Sequence, residues 1–433
     1  MNEEFLHFIF QYKLWTNKKL LLDNGEEFEI LEIGQHNFNS GPDFFNSKIK
    51  INDTIWVGNI EIHINSSDWF NHNHQNDLSY DNVILHIVFC NDKPIYYKNG
   101  NEIPTWEIQF DHALFNNYSK IQNNEQQINC EDLIKLVEPE KIKLFLEKAA
   151  IDRLEYKISE IKKILEKTNY NWEETFYICL AHSFGFNINS QPFEMMATQT
   201  PLNIIRKYDH DMYLLEALLF GQSGLFEISV PDTYFAKLAK EYQFIRQKHN
   251  LTPISGFIWK MSKTRPSNFP HVRMGQFAKI MSSFQGLFSA ITDETKFKDI
   301  KKYFQIIPSN YWLSHYAFGK SASYLVTRLG KTSFDSIAIN TIAPFLYIYF
   351  QTFNNEKSEE LYYNWLSEIK PENNTEIRTW KNAGISPQNA YESQSLLQIK
   401  KEYCDKKNCL YCNIGYEILN KINNISTEEK IKN

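Results

Sequence analysis

The chain has 433 residues, 42% of them hydrophobic and 15% aromatic, which is ample for a sizeable core and, at this length, for two domains. A net charge of −6 excludes an overall polyanion-binding signature, and six cysteines, three of them near one end, do not make the disulfide framework of a small secreted fold. The charge is unevenly spread: residues 1–130 hold 8 Lys/Arg against 18 Asp/Glu, and the remainder holds 38 against 34. An acidic first part suits cation binding, but it repels a phosphate backbone unless metal and the second part compensate. The opening Met1-Asn2-Glu3-Glu4 is acidic where a secretory leader would be basic, and no apolar run is long enough to span a bilayer. A cytoplasmic protein without a membrane partner is therefore expected.

In chain order, Glu3 to Trp15 carries apolar residues at helical spacing (Phe5, Phe8, Ile9, Tyr12, Leu14). Strand patterns follow at 28–33, 44–51, 54–64, 83–89, 94–97 and 106–110, with Asn-Gly pairs at 24–25 and 99–100 marking tight turns. From about Glu131 the pattern turns helical, beginning with Leu133 to Leu165, and prolines punctuate the later helices. The fold class expected is α+β: a mixed-sheet α/β domain over 1–125, a larger all-helical domain over 126–400, and a Cys-rich segment over 401–433 folding back on the first domain.

The stretch from Ser40 to Phe89 holds the most chemistry. In Ile60-Glu61-Ile62-His63-Ile64 the period of two sends three isoleucines one way and Glu61 and His63 the other. Asp43, after a Gly-Pro turn, opens the preceding strand, and a hairpin brings it beside Glu61. Two carboxylates with a base nearby are what a hard divalent cation and a water nucleophile require. Taken singly, Asp43 is a turn residue and Glu61 and His63 the wet face of a strand; together they make a metal site. His72-Asn73-His74, with Asp68 and Asp77 near, falls in a helix-and-loop segment where that spacing is not expected to converge. Its histidines read as surface residues, one of which would reach a substrate phosphate. His86, in an apolar strand, reads as a hydrogen-bonded core histidine.

Pro42-Asp43, an acidic residue eighteen positions on, one spacer and then a basic residue resembles the core of the PD-(D/E)XK nucleases, as does the order of helix, three strands, helical segment and strand. The resemblance covers about the first quarter of the chain. It implies that Asp43 and Glu61 hold Mg2+ or Mn2+, with His63 in the place of the lysine that orients or deprotonates water. A neutral imidazole there can ligate or accept a proton but brings no fixed positive charge. Gln75 and Tyr80 are similar, at a spacing one residue longer, to the Gln/Tyr motif of RecB-like members, which implies substrate contact. Nearly the whole chain also resembles an uncharacterised bacterial family, domain of unknown function 2851. The strings that carry this resemblance are Gly41-Pro42-Asp43-Phe44-Phe45, Gly58-Asn59-Ile60-Glu61-Ile62-His63, Ser67-Asp68-Trp69, Arg265-Pro266-Ser267-Asn268-Phe269-Pro270 and the cysteine-rich end. It implies a shared fold and no activity.

Cys404, Cys409 and Cys412 fall within nine residues in a C-x4-C-x2-C pattern, close enough to share a metal, and Cys130 in a polar linker is the fourth candidate. Zn2+ and a [4Fe–4S] cluster both remain open. Some RecB-like nucleases are similar in holding such a cluster with one distant and three C-terminal cysteines, though their lone cysteine precedes the nuclease core. Cys90 and Cys179 read as small buried hydrophobes. Arg265, Asn268, Arg273 and Gln276, with Lys260 and Lys263 upstream, form a basic loop that would contact phosphate or else pair with acids between helices. Lys320 to Lys331, with Tyr324 and Arg328, is a second basic stretch. The reading these features support is a metal-dependent nuclease acting on DNA or RNA. The alternatives are a non-catalytic nucleic-acid-binding or assembly protein on a decayed nuclease fold, and a zinc hydrolase using His63, His72 and His74.

Overall fold

A computed structural model describes residues 1–262, 264–293, 296–323, 328–353 and 358–432; Lys263 and Tyr324 of the two basic stretches lie outside the described residues. The architecture is α+β, a curled mixed sheet in the N-terminal region followed by helices. Two compact units emerge. Unit 1 comprises residues 1–146, 375–386 and 399–433, and unit 2 comprises 147–374 and 387–398. The first division thus falls at 146/147 rather than at 125/126, and the cysteine-rich end belongs to unit 1.

Unit 1 opens with helix α1, Glu3–Gln11, whose first turn is capped by the Asn2 side chain accepting from the Phe5 amide. Phe5, Leu6, Phe8, Ile9 and Phe10 are buried, and Glu3 and His7, four residues apart, share the remaining polar stripe. Strands β1 (Phe28–Glu32), β2 (Gln35–His36), β3 (Phe44–Ile51), β4 (Thr54–Asn65), β5 (Val83–Cys90) and β6 (Thr105–Glu107) form one sheet in the order β1-β3-β4-β5-β6, with β2 pairing β3. β3 and β4 are an antiparallel hairpin with Phe44 opposite Ile60. β4 and β5 are parallel, with Glu61 opposite His86 and His63 opposite Val88. A parallel pair needs a crossover, and here it carries the short helix α2 (Asp68–Asn71) and two 3-10 turns, His74–Asn76 and Leu78–Tyr80.

Residues 94–97 form no strand. They meet Asn101–Ile103 in a narrow turn through the Tyr96–Glu102 bridge, with Gly100 at φ +85°. Helix α3, His112–Gln122, packs against the C-terminal helix Asn413–Lys432, which also lies on the turn Glu131–Leu136. Unit 2 is built on one apolar core drawn from helices between Pro139–Lys167 and Ala390–Ile399. It is not all helical, since His315–Ala317 and Lys320–Ser321 pair as a two-stranded sheet. Among the described residues no helix is long and apolar enough to cross a membrane.

Candidate metal centre

The hairpin brings Asp43 and Glu61 together. The Asp43 amide donates to Glu61 Oε2 at 3.2 Å, and Asp43 Oδ2 accepts from the Ile62 amide at 2.8 Å. Glu61 is 5% exposed and His63 1%, so the face expected to be wet is covered. The cover comes from α1 and the β4–β5 crossover. Asn73 takes a left-handed conformation, φ +64°, and this reversal turns His72 and His74 toward the same point. The expectation that their spacing would not converge is therefore corrected, and His74 is buried rather than on the surface. Its ring stacks on Tyr80 with centroids 3.8 Å apart and meets Trp69 edge-on.

One donor atom from each of His63, His72 and His74 lies within 4.8 Å of the others. His63 Nε2 is 3.1 Å from His72 Nδ1 and 3.5 Å from Glu61 Oε1, while His74 Nε2 is 3.2 Å from the same oxygen. The other nitrogen of His63, Nδ1, meets His86 Nε2 at 2.8 Å, which leaves Nε2 facing the cluster. His86 is thus the hydrogen-bonded core histidine that its strand suggested.

Two groups escaped the sequence reading. His7 on α1 places Nε2 3.2 Å from Asp43 Oδ2, and Glu3, one turn before, lies near His72, Asp43 and His7. Their signal was the polar i, i+4 pair opposite the apolar stripe of α1.

The electrostatics follow from burial. Desolvation first, and the Asp43 charge second, hold the Glu61 carboxyl well above the usual range. Burial also raises Glu3. Burial and then the neighbouring imidazoles press His63 down to about 2, His74 to about 4 and His86 to about 3. These histidines are neutral near pH 7, as ligands must be.

A cation fits this donor set. Nε2 of His7 and Nε2 of His74 are buried without a hydrogen-bonding partner, although each stands 3.2 Å from a carboxylate oxygen. At His74 and Glu61, a nitrogen and an oxygen that face each other inside the triad without a hydrogen bond suit a metal ion between them, whereas His7 pairs with Asp43 outside the triad. Gln75 is half-buried and its amide nitrogen turns back to Asn73 Oδ1.

The remaining predicted site residues lie elsewhere. Arg265 is exposed and Arg273 buried, both in unit 2. Arg273 donates to Gln276, Asn268 and Ser333 and lies over the Phe186 ring, so neither acid pairing nor outward reach describes its contacts. Cys130, Cys404, Cys409 and Cys412 all fall in unit 1. Cys179 is buried as expected, whereas Cys90, the last residue of β5, is exposed beyond the end of its pairing with β6.

No curated protein and no solved structure matches the chain. A family model does match, over residues 3–375, a span that ends before the three C-terminal cysteines. On that match the chain belongs to the family described as Protein of unknown function (DUF2851).

Proposed function

We propose that unit 1 is a metal-dependent phosphodiesterase acting on nucleic acid. The observation that carries this reading is the meeting of Asp43 and Glu61, from antiparallel neighbours β3 and β4, with the gathered nitrogens of His63, His72 and His74. The strand context supports it: a leading helix, Asp43 at the head of one strand, Glu61-x-His63 on the next, a helical crossover, then a parallel strand.

A divalent cation in this site would supply Lewis acidity and a bound water of lowered pKa. Asp43, Glu61 and the three imidazoles would hold it, and the nitrogen-rich set favours Zn2+, Mn2+ or Fe2+ over Mg2+. His63, so reluctant to take a proton, serves better as a ligand than as a base. His7, beside Asp43 and outside the triad, is the imidazole placed to accept a proton from attacking water. Residues 1–130, with 18 Asp/Glu against 8 Lys/Arg, repel a polyanion, and a bound cation would offset part of that charge.

The test is hydrolysis of labelled single- and double-stranded DNA and RNA by protein loaded in turn with Mn2+, Zn2+ and Mg2+. Cleavage that Asp43→Ala and Glu61→Ala each abolish, with the fold retained, is the expected result. Absence of cleavage with every metal and substrate would favour the binding-protein alternative. The three-histidine geometry gives a second reading, a zinc hydrolase of other substrates, and hydrolysis of carboxylic esters or amides without phosphodiester cleavage would favour it.

A further inference from the structure

A cavity of about 680 Å³ is lined wholly by residues of unit 2. The turn Pro266–Asn268 and the helix Pro270–Met281 build part of it. Prolines at 266 and 270 restrict the backbone where each begins, and the Asn268 amide closes the turn on the Arg265 carbonyl at 2.8 Å. Arg265 stands exposed before the turn, and Arg273 lies in the first turn of the helix, only 7% exposed. Both arginines line the cavity.

Arg273 is a buried cation whose partners are all neutral. Its Nη1 donates to Gln276 Oε1 at 2.9 Å, and its Nη2 donates to Asn268 Oδ1 at 2.7 Å and to Ser333 Oγ at 3.3 Å. Its Nε is buried with no hydrogen-bonding partner. The guanidinium carbon sits 4.1 Å from the centroid of the Phe186 ring. Burial lowers the group to about 10, so it stays charged at neutral pH. A buried charge without a counter-charge is costly, and a ligand of opposite sign removes that cost.

The rest of the lining agrees with an anion. Among the described residues no Asp or Glu lines the cavity, while Arg265 adds a second positive charge and Thr264, Thr332 and Ser333 add hydroxyls. Pro270 lines it too, and the helix it opens has no side-chain cap, so the amides of the first turn keep their partial positive charge.

The kind of anion follows from number and size. Two guanidiniums with several hydroxyls suit the double charge and many acceptor oxygens of a phosphate better than the single charge of a carboxylate. The volume is enough for a whole small molecule rather than an ion alone. Phe184, Phe186, Ile188 and Phe193 give that molecule an apolar surface to lie against.

We propose that this cavity of unit 2 binds a small phosphate monoester with a flat, apolar organic part, Arg273 and Arg265 holding the phosphate and the phenylalanines the organic part. This binding is independent of the phosphodiesterase reading, since no residue of the histidine centre takes part in it.

The experiment is calorimetric titration of the full chain with phenyl phosphate, inorganic phosphate, phenol and benzoate, in EDTA so that the histidine centre carries no metal. Phenyl phosphate is expected to bind at least about tenfold more tightly than each of the other three. Arg265→Ala and Arg273→Gln should each weaken it by about tenfold or more, the ratio that goes with loss of one hydrogen bond to a charged group. Should Arg273→Gln fold poorly by circular dichroism, the exposed Arg265→Ala and the wild type decide. No binding of phenyl phosphate by the wild type, equally tight binding of benzoate, or binding that Arg265→Ala leaves unchanged overturns the proposal.

Discussion

Nδ1 of His63 and Nε2 of His86 meet at 2.8 Å in the interior of unit 1. Because β4 and β5 run parallel with Glu61 opposite His86, the His86 ring lies behind the triad and turns His63 Nε2 toward it. A hydrogen bond to the far nitrogen of a ligand histidine fixes its tautomer and orientation. His86→Phe should therefore weaken metal binding about 10–100-fold, and His86→Gln, which keeps a polar partner, should weaken it less. Titration with Mn2+ or Zn2+ at neutral pH measures this, and an unchanged affinity for the Phe variant would leave His86 as core filling alone.

Acid should destabilise the metal-free protein well above the carboxylate range. The unfolded chain protonates its histidines near pH 6.5, whereas folded His74 waits until about 4, His86 until about 3 and His63 until about 2. Between these limits the unfolded state binds more protons, so stability rises with pH and is lost as pH falls from about 7 toward 4. Each buried histidine contributes a slope of about 1.4 kcal/mol per pH unit in that window. Denaturant midpoints at pH 7, 6 and 5 give the slope, and flat midpoints would mean that these imidazoles are charged in the fold.

Glu61 works in the opposite sense. Its folded pKa is raised, so its contribution to stability is full below 4.5, the value of an exposed carboxyl, and is lost as pH rises through the higher folded value. Near neutrality the metal-free centre holds a carboxyl that resists ionising beside Asp43, a strain that a cation relieves. Metal binding should then raise the melting temperature and release a proton. Glu61→Gln removes the ionisable group, so it should leave the metal-free melting temperature unchanged or higher while abolishing the rise with metal. A lower metal-free melting temperature with the metal response intact would show Glu61 to be structural only.

How much of this centre was legible depends on how local its signals are. The alternation in 60–64 placed Glu61 and His63 on one face, and the Gly-Pro turn placed Asp43 at the head of β3; both are short-range patterns, and the pairing of Phe44 with Ile60 carries them into the site. His74 was lost to the surface because its direction depends on a single left-handed residue, Asn73, which hydrophobic periodicity does not register. His7 was passed over because α1 was read for its apolar stripe, and the polar positions 3 and 7 acquire meaning only when the sheet lies beneath them. The return of residues 375–386 and 399–433 to unit 1 rests on contacts hundreds of positions apart, of which only the cysteine spacing gave notice. The basic loop was read from charge alone, and composition says nothing of the polar groups that surround Arg273.

Those returning residues reach the histidine centre through rings. Tyr411, between Cys409 and Cys412, lies nearly parallel to His36 with centroids 5.9 Å apart, and His36 meets His7 edge-on at 5.3 Å. His36 also stacks on Phe44 at 4.8 Å, the residue that follows Asp43. The cysteine turn thus braces the two residues, His7 and Asp43, that close one side of the centre. Tyr411→Ala removes the brace without touching a proposed ligand of the histidine centre. It should weaken metal binding at the histidines by about 0.5–2 kcal/mol, the usual size of a coupling carried through packed side chains. Titration of the histidine centre with Mn2+ or Zn2+ measures this, and circular dichroism checks that the fold is retained. Unchanged affinity would show that the cysteine turn and the histidine centre are independent.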